Sequence, residues 1–118
     1  MKEAISKQPN LNYNEQEALK GIIRGLPAMY AMINKIVLYG SKARGDFVEE
    51  SDIDILFVTD YPVHRTLKTE VYDKIYELEV EHDVVISAVF ITKADFDTKA
   101  TPFIKRVHQE GNILWSRE

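Results

Sequence analysis

Two aspartates stand one residue apart at the start of an apolar run, in the segment SDIDILFVT. Side chains alternate between the faces of a β-strand, so Asp52 and Asp54 would point to the same side, about 7 Å apart along the strand. Two carboxylates on one face repel each other unless a positive charge lies near them. Mg²⁺ is commonly held by one or two carboxylates together with substrate phosphates, and it would supply that charge. The alternative is that Asp52 caps the strand and Asp54 lies on a solvated face.

Upstream of the aspartates, Gly40 and Ser41 follow the short apolar run KIVLY. Glycine permits a tight turn and close approach of the backbone to a ligand. The Ser41 hydroxyl and the backbone N–H groups beyond it can meet phosphate oxygens at a helix start. Gly-Ser alone would be weak evidence, because turns are rich in both residues. In combination with Asp52 and Asp54, it predicts a site with a phosphate end and a metal end.

The stretch GSKARGDFVEESDIDILF, residues 40–57, resembles the GS-x-A-R-G…SD-x-D signature of the minimal nucleotidyltransferases (MNT), members of the DNA polymerase β-like superfamily. The later order of helix, strand and helix, with HQEGNILW near the C-terminus, is also similar. The resemblance therefore extends over roughly residues 30–115. It implies a nucleotidyltransferase fold and Mg²⁺-dependent transfer of AMP from ATP, with release of pyrophosphate.

Carried over residue by residue, the resemblance implies that Gly40 and Ser41 hold the donor triphosphate. Asp52 and Asp54 would hold two Mg²⁺ ions and act as catalytic residues. In such a site one ion activates the attacking hydroxyl and the other neutralises charge on the leaving pyrophosphate. Positioning and charge neutralisation then supply most of the rate enhancement.

Other residues of the same segment have weaker assignments. Arg44, and with less weight Lys42, would steady phosphates, since a guanidinium grips them in bidentate fashion. The alternative for each is a solvated surface cation. Ser51 would cap or orient the loop before the aspartates and is counted with the nucleotide-binding residues. Phe47, in the loop between the two halves of the signature, is a candidate for stacking on a base.

The sequence departs from the family pattern at the third carboxylate, which active members usually carry on the next long strand. That strand is predicted over residues 83–92, and its only acid is Asp83, at the very start. Asp83, Val85 and Ser87 would share one face by alternation. Asp83 is the candidate third catalytic acid, but counting back from the end of the strand favours Ser87 at that position. If Ser87 occupies it, the catalytic base is missing.

The elements that position these residues follow from periodicity and capping signals. Leu67, Val71, Ile75 and Leu78 form a helical stripe, and Thr101 followed by Pro102 marks a helix start. The predicted fold is α/β (α+β), a nucleotidyltransferase fold with a small mixed sheet of three to four strands flanked by helices. The predicted helices cover residues 13–25, 64–81 and 101–110 with a helical turn at 41–44, and the predicted strands cover 35–39, 52–59, 83–92 and 113–115.

The bulk properties limit the class of protein. A length of 118 residues suits a single domain, 1–118, with residues 1–11 expected to be flexible. The chain has no cysteine, no apolar run long enough to span a membrane and no apolar signal segment, so a cytoplasmic location is expected. The net charge of −4 argues against nucleic acid as a partner.

Two functions follow from the resemblance. The first is an enzyme that transfers AMP from ATP to a hydroxyl of a partner protein, as in MNT-type antitoxins, with a helical, HEPN-like toxin as partner. The second is a catalytically weak or inactive module that acts by binding a helical partner, which the missing third acid would favour.

Overall fold

The computed structural model describes residues 2–3, 8–46 and 51–117. A mixed sheet with strand order β1-β5-β2-β3-β4 forms its centre. Only β3 and β4 run parallel, and every other neighbouring pair is antiparallel. This confirms the predicted mixed sheet, which has four longer strands and a two-residue fifth. The strands are β1 Lys2–Glu3, β2 Ile33–Tyr39, β3 Ile53–Thr59, β4 Ile86–Thr92 and β5 Asn112–Ser116.

The predicted helices are all present, but α1 ends four residues later than predicted and one short helix is additional. The sequence did not predict the short helix α4, because its segment KADFDT is too short to show a helical period. The prediction for residues 1–11 falls partly outside the described residues, but Leu11 is buried. The helices are α1 Tyr13–Met29, α2 Ser41–Arg44, α3 Arg65–His82, α4 Lys93–Thr98 and α5 Pro102–Glu110.

Helix α1 begins with a capping box and continues past its proline. The Asn12 side chain accepts a hydrogen bond from the Glu15 backbone N–H at 2.8 Å, and the Glu15 carboxylate accepts one from the Asn12 backbone N–H at 2.9 Å. The predicted end of this helix at residue 25 is wrong, since α1 runs through Pro27 to Met29. Leu26 and Pro27 are buried, and this packing holds the last turn in the helix.

The two faces of the sheet carry separate layers of helix. On one face, α1 and α3 pack against the odd-numbered positions of β3, and the predicted stripe of α3 lies inside with Val71 and Ile75 fully buried. On the other face, α4 and α5 cover β2 and β3 over a smaller cluster. That smaller cluster consists of Val37, Leu56, Val58, Phe96, Ile104 and Val107.

Strand β4 is an edge strand of the sheet, and its sequence ISAVFIT carries no charge. Two side chains of α3 lie along this edge. The Ile86 amide donates to Glu79 Oε2 at 2.8 Å, and the Tyr72 hydroxyl donates to the Ala88 carbonyl at 3.5 Å. The Tyr72 ring also contacts Phe90 edge-on, with centroids 5.6 Å apart. The edge is therefore partly covered by side chains of the chain's own helix.

Helix α5 is fixed to its surroundings at both ends. The Thr101 hydroxyl accepts from the Ile104 amide at 3.2 Å, which confirms the predicted cap. Near the other end, the His108 ring stacks on Phe96 with centroids 4.2 Å apart, and its Nε2 lies 2.8 Å from the Phe96 carbonyl oxygen. A Cβ at Gly111 would lie 2.5 Å from the Val107 carbonyl oxygen and 2.9 Å from Val37 Cγ1. The chain after α5 thus lies flush against β2.

None of the helices in the described ranges is long and apolar enough to cross a bilayer.

Candidate active site

The turn after β2 is built around a glycine that no other residue can replace without strain. Gly40 has φ +76° and ψ −159°, a region open essentially to glycine alone. A Cβ at this position would overlap Asp54 Oδ2, because the carboxylate lies directly against the turn. The fold therefore brings the two halves of the signature, Gly40 and Asp54, into contact.

Helix α2 runs from Ser41 to Arg44, and Gly45, with φ +94°, is its left-handed C-cap. Its first N–H groups have no acceptor within the helix, as at every helix start. Lys42 is buried and forms an ion pair with Glu15 at 2.9 Å. Neither expectation for Lys42, a phosphate contact or a solvated cation, agrees with this position. Its ammonium instead ties α2 to the first turn of α1.

Asp54 lies in the middle of a row of three strands. Its register partners are Tyr39 on β2 and Ser87 on β4. Burial, and next the charge of Asp52, raise the pKa of Asp54 above its ordinary value, while Arg44 acts in the opposite direction. Asp52 immediately precedes β3 and is exposed. The effect of the Asp52 charge on Asp54 is the one expected of two acids one residue apart at the start of β3.

Asp83 and Ser87, the two candidates for the position of the third acid, lie in different elements. Asp83 is the left-handed C-cap of α3, with φ 54° and ψ 55°. The predicted strand start at residue 83 is wrong, because α3 extends to His82 and β4 begins only at Ile86. Ser87 is the residue paired with Asp54 across the parallel ladder. The structure thus places Ser87, and not Asp83, beside the carboxylate pair.

A cleft of about 290 Å³ opens at this end of the sheet. The signature contributes Gly40, Ser41, Arg44 and Asp54 to its walls, and Tyr39 completes that side. The opposite wall belongs to α5, which sequence reasoning did not connect with the site. The sequence did contain a signal for this wall. Its four residues are spaced by three, one and three positions, which places them on one face of α5. The α5 residues are Phe103, Arg106, Val107 and Glu110.

Arg44 spans the cleft from α2 to α5. Its Nε lies 3.1 Å from Asp46 Oδ2, and its Nη1 lies 3.0 Å from Glu110 Oε1. The hydrogen bonds that Arg44 donates to Asp46 and then to Glu110 raise its pKa above the ordinary value. The guanidinium is therefore already engaged by two anions in the absence of a ligand.

Tyr39 closes the apolar end of the cleft. Its ring meets Phe103 edge to face, with centroids 5.4 Å apart. Burial, and then the charge of Asp54, raise the pKa of the Tyr39 hydroxyl. The hydroxyl consequently stays protonated at neutral pH and can donate a hydrogen bond.

The acidic pair fits a magnesium ion by its chemistry. Carboxylate oxygens are the ligands that Mg²⁺ prefers, and a cation would offset both the burial and the charge of Asp52 that raise the pKa of Asp54. Across residues 8–46 and 51–117, no group of three or more histidine, aspartate or glutamate side chains is placed to hold a metal by itself. Further ligands would have to come from substrate or water, as is usual for this ion. Ser51 directly precedes the pair and is half-buried, whereas Phe47 lies outside the described residues.

Comparison with known proteins identifies the family. Residues 19–114 match the nucleotidyltransferase domain family. This chain belongs to that family. The match spans the Gly40–Ser41 turn, both aspartates, and α5 together with most of β5. The chain is thus a nucleotidyltransferase, which confirms both the resemblance and the class of enzyme.

Relatives and structural neighbours of this nucleotidyltransferase agree with the assignment. A Methanocaldococcus jannaschii protein named "Putative protein adenylyltransferase" is 38% identical over 104 residues, which cover 86% of this chain and 99% of that protein. A chain in a crystal structure of a toxin–antitoxin with AMP-PNP has a TM-score of 0.62 at 22% identity, over 84% of this chain and 73% of that chain. A chain in the structure of the tri-AMPylated Shewanella oneidensis HEPN toxin in complex with MNT antitoxin has a TM-score of 0.57 at 21% identity, over 86% and 71%. The two structures show that the fold is shared.

Proposed function

We propose that this nucleotidyltransferase uses ATP with Mg²⁺ to transfer AMP to a hydroxyl group of a helical, HEPN-like partner protein. The observation that carries the proposal is the contact between the Gly40 turn and the Asp54 carboxylate within one cleft. Because of that contact, a turn that binds phosphates and an acid that binds Mg²⁺ could both reach one triphosphate. The name of the M. jannaschii relative and the AMPylated toxin beside its MNT antitoxin support a protein acceptor.

The proposed division of roles follows the geometry of the cleft. Gly40 and Ser41 contact the donor phosphates, and Ser51 orients the segment that carries the acids. Asp52 and Asp54 would hold two Mg²⁺ ions, which when bound lower the pKa of the acceptor hydroxyl and neutralise charge on pyrophosphate. The acceptor oxygen forms a bond to the α-phosphorus while the bond to pyrophosphate breaks. Arg44 exchanges one of its carboxylate partners for a phosphate.

A second candidate function rests on Ser87. Ser87 stands beside Asp54, where the resemblance places the family's third acid. A site that relies on the two signature aspartates alone would lack the family's catalytic base. Such a chain would bind its helical partner with little or no chemistry. Asp83 at the C-cap of α3 would then have a purely structural role.

The two functions separate in one labelling experiment. The protein is incubated with Mg²⁺, ATP labelled at the α-phosphate, and a HEPN-like protein encoded beside it, and label on the partner is measured together with complex formation. Transfer that Asp52→Asn and Asp54→Asn each reduce by at least a hundredfold supports the enzyme, in line with the several kcal/mol expected from a metal site. A stable complex without label supports the binding module.

Asp83→Asn serves as the matched variant, because asparagine tolerates the left-handed conformation at that position. If Ser87 occupies the third position, Asp83→Asn leaves the transfer rate within about twofold of the starting protein. A loss as large as that of Asp54→Asn would make Asp83 the third acid.

A further inference from the structure

One wall of the cleft has no assigned role in the reaction. Phe103, Arg106 and Glu110 lie at positions i, i+3 and i+7 of α5 and face the Gly40–Ser41 turn across the cleft. They lie outside the GS…SDID signature by more than forty residues of sequence. What this wall contacts depends on which of its groups are available to a ligand.

The cations around the cleft differ in their availability. Arg44 is paired with Asp46 and Glu110, and Lys42 is buried against Glu15. Arg106 also lines the cleft and is exposed, and the described part of the chain holds no carboxylate in ion-pair contact with it. A nucleoside triphosphate keeps net negative charge even with Mg²⁺ bound. Arg106 is therefore the cation that can meet it without first giving up a partner.

The aromatic end of the same wall offers a stacking surface. Phe103 is 38% exposed, and its edge-to-face contact with Tyr39 fixes the orientation of its ring. Aromatic side chains bind nucleobases through their π-faces with little preference for sequence. Phe103 and Arg106 are one helical turn apart, about 4.5 Å along the axis, so one ligand can reach both.

We infer that α5 forms the second half of the nucleotide site, with Arg106 on the phosphates and Phe103 on the base. The ligand class is a nucleoside triphosphate complexed with Mg²⁺. This inference rests on the proposed function, because it assumes that ATP is the donor. It adds two binding residues that the signature does not contain and explains why the cleft combines a cationic and an aromatic group on one helix face.

Two probes separate the contributions of Arg106 and Phe103. Binding of Mg²⁺ with AMP-PNP, and of Mg²⁺ with inorganic tripolyphosphate, is measured by titration calorimetry on the full chain. Arg106→Ala should weaken both ligands about tenfold or more, as expected for a lost charge-assisted hydrogen bond. Phe103→Leu should weaken AMP-PNP about fivefold or more and leave tripolyphosphate unchanged, because only the base stacks.

Lys105→Ala is the matched control for charge, since Lys105 is exposed on the same helix but does not line the cleft. It should leave both affinities within about twofold. If the starting protein binds AMP-PNP and Arg106→Ala behaves like Lys105→Ala, the inference is wrong while the proposed function stands. If the starting protein binds neither probe, the proposed function itself fails. Arg106→Lys, which keeps the charge but not the fork, should recover part of the affinity.

Discussion

Asp54 lies in an environment that disfavours the ionised form of its carboxyl group. Burial and the neighbouring charge of Asp52 raise its pKa, and Arg44 offsets this only in part. Because the folded pKa lies above the unfolded one, the native state binds more protons over the intervening pH range. The free energy of unfolding therefore falls as the pH rises through the pKa of folded Asp54. Ionised Asp54 therefore lowers the free energy of unfolding at neutral pH.

We predict that Asp54→Asn raises the melting temperature at pH 7 in the absence of divalent ions. The gain should disappear at a pH well below both pKa values, where Asp54 is protonated in either state. Added Mg²⁺ should stabilise the starting protein and not the variant, because a ligand stabilises only the fold that binds it. Thermal unfolding followed by circular dichroism at the two pH values measures all three effects.

Asp97→Asn is the control, since Asp97 is exposed on α4 and its substitution removes the same charge. It should change the melting temperature by much less at pH 7. Equal shifts for Asp54→Asn and Asp97→Asn would show that net charge, and not the local environment of Asp54, is responsible.

At the scale of elements, Glu15 joins two helices that are distant in sequence. One of its carboxylate oxygens accepts from the Asn12 amide in the capping box, and the other accepts from the buried Lys42 ammonium. The start of α1 and helix α2 are therefore held together by a single side chain. Buried ion pairs of this kind contribute modestly as a pair, but losing one member leaves an uncompensated charge.

We predict that Glu15→Gln lowers the free energy of unfolding by about 3–5 kcal/mol, because it removes one of the two charges of a buried ion pair. Urea denaturation provides the measurement. Glu17→Gln, two residues along the same helix, breaks a partly exposed pair with Lys20 and should lower it by less than about 1 kcal/mol. A loss for Glu15→Gln no greater than that for Glu17→Gln would contradict a role for the buried pair.

Local signals in the sequence were sufficient for several elements and for the heart of the site. The alternation in DIDILFVT located β3, and Thr101-Pro102 located the start of α5 to the residue. Glycine after β2 predicted a tight turn, and the positive φ of Gly40 confirms it. The close approach at this turn is made by the Asp54 side chain, and the approach to a phosphate stays a prediction. These features depend on residues that are neighbours in sequence, or on one strand.

Other features depend on tertiary contacts that no local pattern reveals. The burial of Lys42 requires a carboxylate from a separate helix, and Arg106 enters the site only because α5 packs across the sheet from α1 and α3. Asp83 ends α3 in a left-handed conformation, so β4 begins three residues later than predicted. With this start, Ser87 is the β4 residue paired with Asp54. Phe47 lies outside the described residues, so its stacking role stays a prediction.

For the whole molecule, the edge of the sheet at β4 is the place where other chains would most readily add. An uncharged edge strand of seven residues is a template for intermolecular pairing. Here Glu79 accepts from the outward Ile86 amide, and the Tyr72 hydroxyl binds the Ala88 carbonyl. These two side chains take up backbone groups that a foreign strand would need.

We predict that Glu79→Ala lowers the free energy of unfolding by about 1.5–3 kcal/mol, the usual contribution of a hydrogen bond to a charged group. It should also increase concentration-dependent light scattering on heating, because the edge is uncovered. Glu77→Ala removes the same charge from an exposed position on α3 and should do neither. Denaturation curves together with scattering at several protein concentrations test this, and equal scattering from both variants would contradict it.

The close approach at Gly111 has a consequence for how a substrate is received. With the chain after α5 pressed onto Val37 and the Val107 carbonyl, and with His108 held against Phe96, α5 has little freedom to swing. The wall that carries Phe103 and Arg106 therefore stands ready before any nucleotide arrives. Such preorganisation spares a ligand the loss of conformational entropy that closing a mobile lid would entail. The cleft would then select among nucleotides by how well each fits between the Gly40–Ser41 turn and an α5 wall that does not move on binding.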